Sequence, residues 1–180
     1  DNISSNLDIE LKQEGLQIDK IINYTSEKIT DLNEENNKII NGITDWVYEE
    51  EFAFVRAFEW NKDGSKIVYI KFDETNVPRF SMDVYGTGLY PAQQVFKYPK
   101  AGDPNAQVSL HLYDLESEKT SNVDLSGYNN YYIPRIKWTQ DTNVLSVQTT
   151  NRKQNTIDLI FVDANKNQTS LVLQEKDNAY

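Results

Sequence analysis

The sequence predicts an all-β chain of short antiparallel strands, built from the four-stranded units of a β-propeller. Three observations point there. Short apolar strands are divided by turn signals every ~8–12 residues. A tryptophan–hairpin pattern occurs twice. Each copy is followed by a strand that ends in Asp and turns back on itself. In the first copy Phe58-Glu59-Trp60 meets the turn residues Asn61-Lys62-Asp63-Gly64 and then Ile67–Phe72. Val108–Tyr113 alternates, turns through Glu116–Lys119 and resumes near Val123–Leu125. In the second copy Ile136-Lys137-Trp138 turns at Gln140–Asn143 into Val144–Val147, and Ile157–Val162 turns at Ala164–Asn167 into Ser170–Leu173. Phe58-x-Trp60-x-x-Asp63 thus parallels Ile136-x-Trp138-x-x-Asp141, and Leu112-Tyr113-Asp114 parallels Phe161-Val162-Asp163. Each pair of hairpins makes one blade.

Two stretches stand outside this pattern. Asp73–Gln107 carries Pro78, Gly86, Gly88, Pro91, Pro99, Gly102 and Pro104, too many breakers for a regular element. A loop of that length in a compact domain is usually functional or packed against something. Near the N-terminus, Leu7, Ile9 and Leu11 alternate like a strand, while Leu16–Leu32 fits helix and strand templates equally. Ile22–Tyr24 and Ile29–Leu32 could pair as a further blade hairpin.

Composition narrows the function. The chain has 180 residues, enough for one domain with a sizeable core. Its 38% hydrophobic content is low for a compact enzyme, but 12% aromatic residues, eleven of them Tyr, argue against disorder. A net charge of −10, with no local block of Lys and Arg, disfavours nucleic acid and anionic membrane as partners. Cationic or amine-bearing ligands suit it better. The absence of cysteine excludes disulfides, thiolate metal sites and cysteine catalysis. No run approaches the ~18 apolar residues of a membrane span. Residues 1–10 lack the charged start and apolar stretch of a signal peptide, so the chain begins after a removed signal or inside a longer protein.

Few residues can carry chemistry. His111, the only histidine, lies mid-strand between Leu110 and Leu112 and reads as a surface strand residue. No Gly-x-Ser-x-Gly elbow, EF-hand loop or phosphate cradle occurs, and no cofactor or metal is expected. The aromatic run Tyr128–Tyr132 reads as the start of a strand, with a sugar-stacking platform as the alternative.

The acidic run is different. In Asp45-Trp46-Val47-Tyr48-Glu49-Glu50-Glu51 three consecutive carboxylates follow two large aromatics. A pair of unit charges ~4 Å apart costs about 4 kcal/mol at an effective dielectric near 20, so a cation among the three would relieve the cluster. Asp45 suits a helix N-cap, and Trp46–Glu51 is long enough for about one and a half turns. Glu50 and Glu51 then point ~100° apart, yet both reach one ammonium, whose three donors they would satisfy. The plain alternative is a solvated acidic face.

Asn41-Gly42-Ile43-Thr44-Asp45-Trp46-Val47-Tyr48-Glu49-Glu50-Glu51 closely resembles the signature of the dipeptidyl peptidase IV propeller domain. Phe72-Asp73-Glu74-Thr75-Asn76-Val77-Pro78, Tyr90-Pro91 and Tyr98-Pro99-Lys100-Ala101-Gly102 resemble further motifs of that family, in the same order. The resemblance covers about residues 38–180. Residues 1–37 form a poorly matched N-terminal segment. The lack of cysteine and Glu51-Phe52-Ala53-Phe54 look like the bacterial branch.

The resemblance implies a serine exopeptidase family that removes Xaa-Pro or Xaa-Ala dipeptides from polypeptide N-termini. There an eight-bladed propeller is joined to an α/β-hydrolase domain carrying Ser, Asp and His. The glutamates matching Glu50 and Glu51 bind the substrate's free α-amine, and Glu49 matches a supporting acid. This chain would supply about three to four blades and no catalytic residue, so it is expected to be inactive alone. The family's propeller arginine has no match here. Expected partners are a peptide with a free N-terminus, the missing α/β-hydrolase domain and, through exposed strand edges, a second copy of the chain. The family places the protein in the bacterial periplasm or at the cell surface. A non-catalytic propeller that binds protein or glycan is the alternative function.

Overall fold

A computed structural model describes residues 38–179, which belong to one compact unit. The expectations for the first 37 residues lie outside the described part. Eleven strands and one short helix make up the rest.

The second sheet shows the plan without interruption. Strands β8 (Tyr132–Trp138), β9 (Val144–Thr150), β10 (Thr156–Asp163) and β11 (Gln168–Lys176) form a four-stranded antiparallel meander in chain order. Leu145 and Val147 of β9 and Ile160 and Val162 of β10 alternate into the core. The recurrent aspartates build the turns. Asp141 Oδ1 accepts from the Asn143 amide at 2.9 Å, and Asp163 Oδ1 from the Asn165 and Lys166 amides at 3.0 Å. Asp63 and Asp114 do the same for Ser65 and Ser117 in the first sheet. The sequence repeat is therefore a repeat of side-chain-closed turns.

The first sheet follows the same plan but is interrupted twice. Its neighbours run β1 (Ile39–Asn41), β3 (Lys66–Asp73), β6 (Gln107–Asp114) and β7 (Lys119–Val123), and β2 (Phe58–Trp60) also pairs with β3. Ile39–Asn41 faces Asp73–Lys71, and Phe58–Trp60 faces Tyr69–Ile67. β1 and β2 are thus one edge strand cut in two, with helix α1 (Trp46–Phe52) carried on the excursion between them. The second interruption lies between β3 and β6, where β4 (Arg79–Val84) and β5 (Ala92–Lys97) form a separate two-stranded hairpin.

That hairpin corrects the expectation of an irregular 73–107 stretch. The breakers sit at its ends: Pro78 precedes β4, Gly86, Gly88 and Pro91 form the tip, and Pro99, Gly102 and Pro104 follow β5. Six-residue strands fit between them. The described residues form two blade-type sheets, with the helical excursion and the hairpin inserted into the first. β7 begins earlier than the expected Val123–Leu125, since Lys119–Asn122 pair with β6 despite their polarity.

The two sheets share one core. Val68, Ile70, Phe72, Leu110, Ile133, Leu145, Val147, Ile160 and Val162 are buried together, and Trp138 Nε1 of β8 donates to the Glu59 carbonyl of β2 at 3.0 Å. His111 alternates away from Leu110 and Leu112, as expected, and stacks on Tyr69 with ring centroids 5.3 Å apart.

Candidate functional site

The acidic helix stands on a short neck that grows from the edge of the first sheet. Gly42 N–H donates to the Ile70 carbonyl, and the Ile70 N–H donates to the Ala57 carbonyl, at 3.0 and 2.9 Å. Gly42 and Ala57 therefore leave and rejoin the edge opposite the same residue of β3. Gly42 has φ 72°, a left-handed conformation that turns the chain out of the sheet and favours glycine. Above it Ile43 bridges Arg56, and Thr44 both donates its N–H to Val55 O and its hydroxyl to Phe54 O, each at 3.0 Å.

Asp45 caps the helix as expected. Its Oδ1 accepts from the Tyr48 amide at 3.0 Å, satisfying one of the free donors of the first turn. The helix ends at Ala53, in left-handed conformation at φ 55°, ψ 43°. That turn sends Phe54 back beneath the helix, where its ring meets Tyr48 edge-on at 5.7 Å.

A helix of seven residues is marginal by itself, so packing must hold it. Tyr48 is the anchor, only 1% exposed. Its ring lies among Phe52, Phe54, Phe72 and Tyr132, with centroids 4.8–6.1 Å away. Its hydroxyl accepts from the Ile133 amide of β8 at 2.8 Å, which ties the excursion to the second sheet. Burial pushes the Tyr48 phenol up, so it stays neutral. Arg135 adds a tie from β8: its guanidinium donates to Phe52 O at 3.1 Å and lies over the Phe54 ring.

Glu49, Glu50 and Glu51 are all exposed. Among the described residues none of the three forms an ion pair. Glu49 lies in the first turn, where the helix dipole favours a negative charge. The three carboxylates therefore sit on a rigid support with their acceptor capacity open to solvent. That arrangement suits a small cation with several N–H donors.

Two further carboxyls lie at or near the helix start. Asp45 and Glu74 are both buried. Burial pushes Asp45 up to about 6. Burial, and then the charge of Asp45, push Glu74 up to about 7, with Lys97 acting against them. Lys97 Nζ donates to the Glu74 and Val77 carbonyls at 3.0 and 2.7 Å. Trp46, the first residue of the helix, meets Tyr98 with ring centroids 4.3 Å apart.

Sequence reasoning located the acids and their cap. It missed Thr44, Glu74, Lys97 and Arg135, which act through tertiary contacts across the chain. The Asn41-Gly42 pair was the one local sign of the exit from the sheet. In the Tyr128–Tyr132 run, Tyr132 is buried against Phe52 at the start of β8, as expected of a strand start. Tyr131 accepts a hydrogen bond from Arg152.

Meandering antiparallel sheets with a helix carried on one edge strand define this chain as part of a β-propeller domain of the peptidase type. The family model described as the dipeptidyl peptidase IV N-terminal region matches residues 11–180, and the chain belongs to that family. The match begins at residue 11, ahead of the described residues. The dipeptidyl peptidase 4 crystal structure of Porphyromonas gingivalis superposes with a TM-score of 0.74 at 39% identity, over 79% of this chain and 20% of that one. A probable dipeptidyl-aminopeptidase B of Trichophyton verrucosum is 36% identical over 84% of this chain and 19% of its own length. Its counterpart in Talaromyces marneffei is 33% identical over 77% and 17%. The chain thus spans less than a fifth of the length of these curated relatives.

Proposed function

We propose that this chain is the substrate-recognition portion of a dipeptidyl peptidase IV-like serine exopeptidase, and that Glu50 and Glu51 hold the free α-amine of a peptide. The observation that carries this reading is the pairing of open carboxylates with a rigid base: an exposed acid triplet on a helix whose Tyr48 is tied into both sheets. An ammonium brings three donors and a full charge. Two carboxylates converging on it make charge-assisted hydrogen bonds of about 2.7–2.9 Å. Glu49 supports them by adding negative potential at the helix start.

Such a grip sets register. With the amine held, the polypeptide runs outward from a fixed point, and a hydrolase domain beside the propeller would meet the bond two residues in. A chain without a free amine at that position gains nothing from the carboxylates. The preference for Xaa-Pro or Xaa-Ala would lie with the hydrolase domain, which also supplies the nucleophile, its base and its acid. On this reading the protein acts outside the cytoplasm of a bacterium, in the periplasm or at the cell surface.

Calorimetric titration of the chain with an Xaa-Pro peptide and with its N-acetylated form tests the proposal. Acetylation removes the charge and two donors, and hydrogen bonds to charged groups are worth ~1.5–3 kcal/mol. The free peptide should therefore bind about tenfold or more tightly, and the difference should shrink as salt rises. Equal binding of the two peptides at low salt would refute the reading.

A further inference from the structure

We propose that the base of the β4–β5 hairpin positions the amine-binding helix, with Tyr98 and Lys97 as the positioning residues. The inference rests on the reading of Glu50 and Glu51 given above. The starting point is the rotation of α1 about its own axis, which decides where the carboxylates point. Trp46, Glu49 and Glu50 stand at i, i+3 and i+4 and share one face. Tyr48, two residues after Trp46, lies ~200° around the helix from it. One buried anchor leaves a short helix free to rock. Two anchors on opposite sides fix it.

Tyr48 is the first anchor, beneath the helix. Trp46 against Tyr98 is the second, and Tyr98 directly follows β5. Beside that contact Trp46 lines an open cavity of about 710 Å³ together with Phe80, Met82, Phe96, Tyr98 and Lys100 of the hairpin and its base.

Lys97, the neighbour of Tyr98, ties the same base to the Glu74–Val77 segment, and its charge acts on the Glu74 carboxyl that interacts with Asp45 at the helix start. Its ammonium bridges the Glu74 and Val77 carbonyls and stands by the buried Asp45–Glu74 pair. Asp45 is the N-cap that holds the first turn. The groups that face this pair are Lys97 from the hairpin base, Tyr48 from the helix and Tyr132 from β8. Lys97 is the one cation among these, so its removal leaves two buried carboxyls facing each other near the helix start. Protonation would then relieve the cap of its charge.

Hydrogen exchange and peptide titration on the full 180-residue chain test this. In Tyr98→Ala the amides of Tyr48–Phe52 should exchange about tenfold faster, while those of β9 and β10 keep their protection. Tyr98→Phe, which keeps the ring, should restore wild-type exchange. Tyr98→Leu takes the place of the alanine variant if β9 and β10 lose protection as well. The ratio of free to N-acetylated peptide affinity should fall about fivefold in Tyr98→Ala and recover in Tyr98→Phe. Lys97→Met should move the acid limb of free-peptide binding to higher pH, and Lys97→Arg should move it back. Unchanged exchange in α1, with Tyr98→Ala folded, overturns the inference. A wild-type chain that binds both peptides equally removes the amine-binding reading instead, with the exchange result still deciding whether the hairpin base holds the helix.

Discussion

The two sheets of this chain are built to one plan and used differently. The β8–β11 sheet is an unbroken meander whose aspartates close its turns and whose alternating apolar residues fill the core. In the β1–β3–β6–β7 sheet the edge strand is opened to carry α1, and the β3–β6 connection is extended into the β4–β5 hairpin. All three acids of the triplet lie on the first of these interruptions. A regular blade has no free backbone direction along which to raise a side chain clear of its neighbours. Opening an edge strand provides one, and the intact sheet beside it supplies the Ile133 amide that steadies what has been raised.

This division of labour sets the expected effects of substitution. The largest come from the shared core. Tyr48→Ala removes a buried aromatic and should cost ~3–5 kcal/mol, and Ile160→Ala in the regular sheet ~2–5 kcal/mol, by denaturant unfolding. The two should part company in binding: Ile160→Ala keeps the preference for a free amine, whereas Tyr48→Ala loses it. Loss of the preference in both variants would mean that the acidic helix is not separately anchored.

A smaller effect concerns pH. Asp45 and Glu74 are raised from ordinary values of 3.8 and 4.5 to about 6 and about 7. Between those limits the folded chain binds more protons than the unfolded one. The stabilisation is therefore complete below the unfolded values and is lost as pH rises through the folded ones. The thermal midpoint should fall by roughly a few degrees between about pH 4 and 7, and Glu74→Gln should flatten that fall. Asp114, in the strand ladder, behaves oppositely. The Lys66 ammonium at 2.8 Å and the Ser117 amide hold its carboxyl well below the usual range, so its contribution is lost only on strong acidification. A Glu74→Gln variant with the full wild-type pH dependence would place the titration elsewhere.

The smallest effect is at the end of the helix. Ala53 occupies a left-handed conformation that a glycine adopts without steric cost. Ala53→Gly should be neutral to stabilising, by up to about 1 kcal/mol, in chemical denaturation. A clear loss of stability would show that the Ala53 methyl group packs where the fold needs it.

The regular sheet was largely legible in the sequence because its signals are local. Trp138, the Gln140–Asn143 turn, Ile157–Val162 and the Ala164–Asn167 turn fall where strand alternation and turn chemistry place them. The acidic helix was legible for the same reason, since Asp45 marks its start and three glutamates mark its surface. The interruptions were not. A split edge strand is defined by the partner that its halves share, here Ile70, and nothing in residues 39–60 names that partner. The hairpin was hidden by its own ends, because Pro78, Pro91 and Pro99 outweigh the six-residue strands between them. Nothing local to Glu74 or Lys97 shows that the fold brings the Glu74 carboxyl near Asp45 and the Lys97 ammonium onto the Glu74 carbonyl.

The most direct test of the account is a peptide titration of the Glu50→Gln/Glu51→Gln double variant, alongside its unfolding curve. Both side chains are exposed, so stability should stay within ~0.5 kcal/mol of wild type. The roughly tenfold or greater preference for a free over an acetylated amine should disappear, with affinity for the acetylated peptide unchanged. A double variant that keeps the preference would contradict the assignment of the amine to this helix.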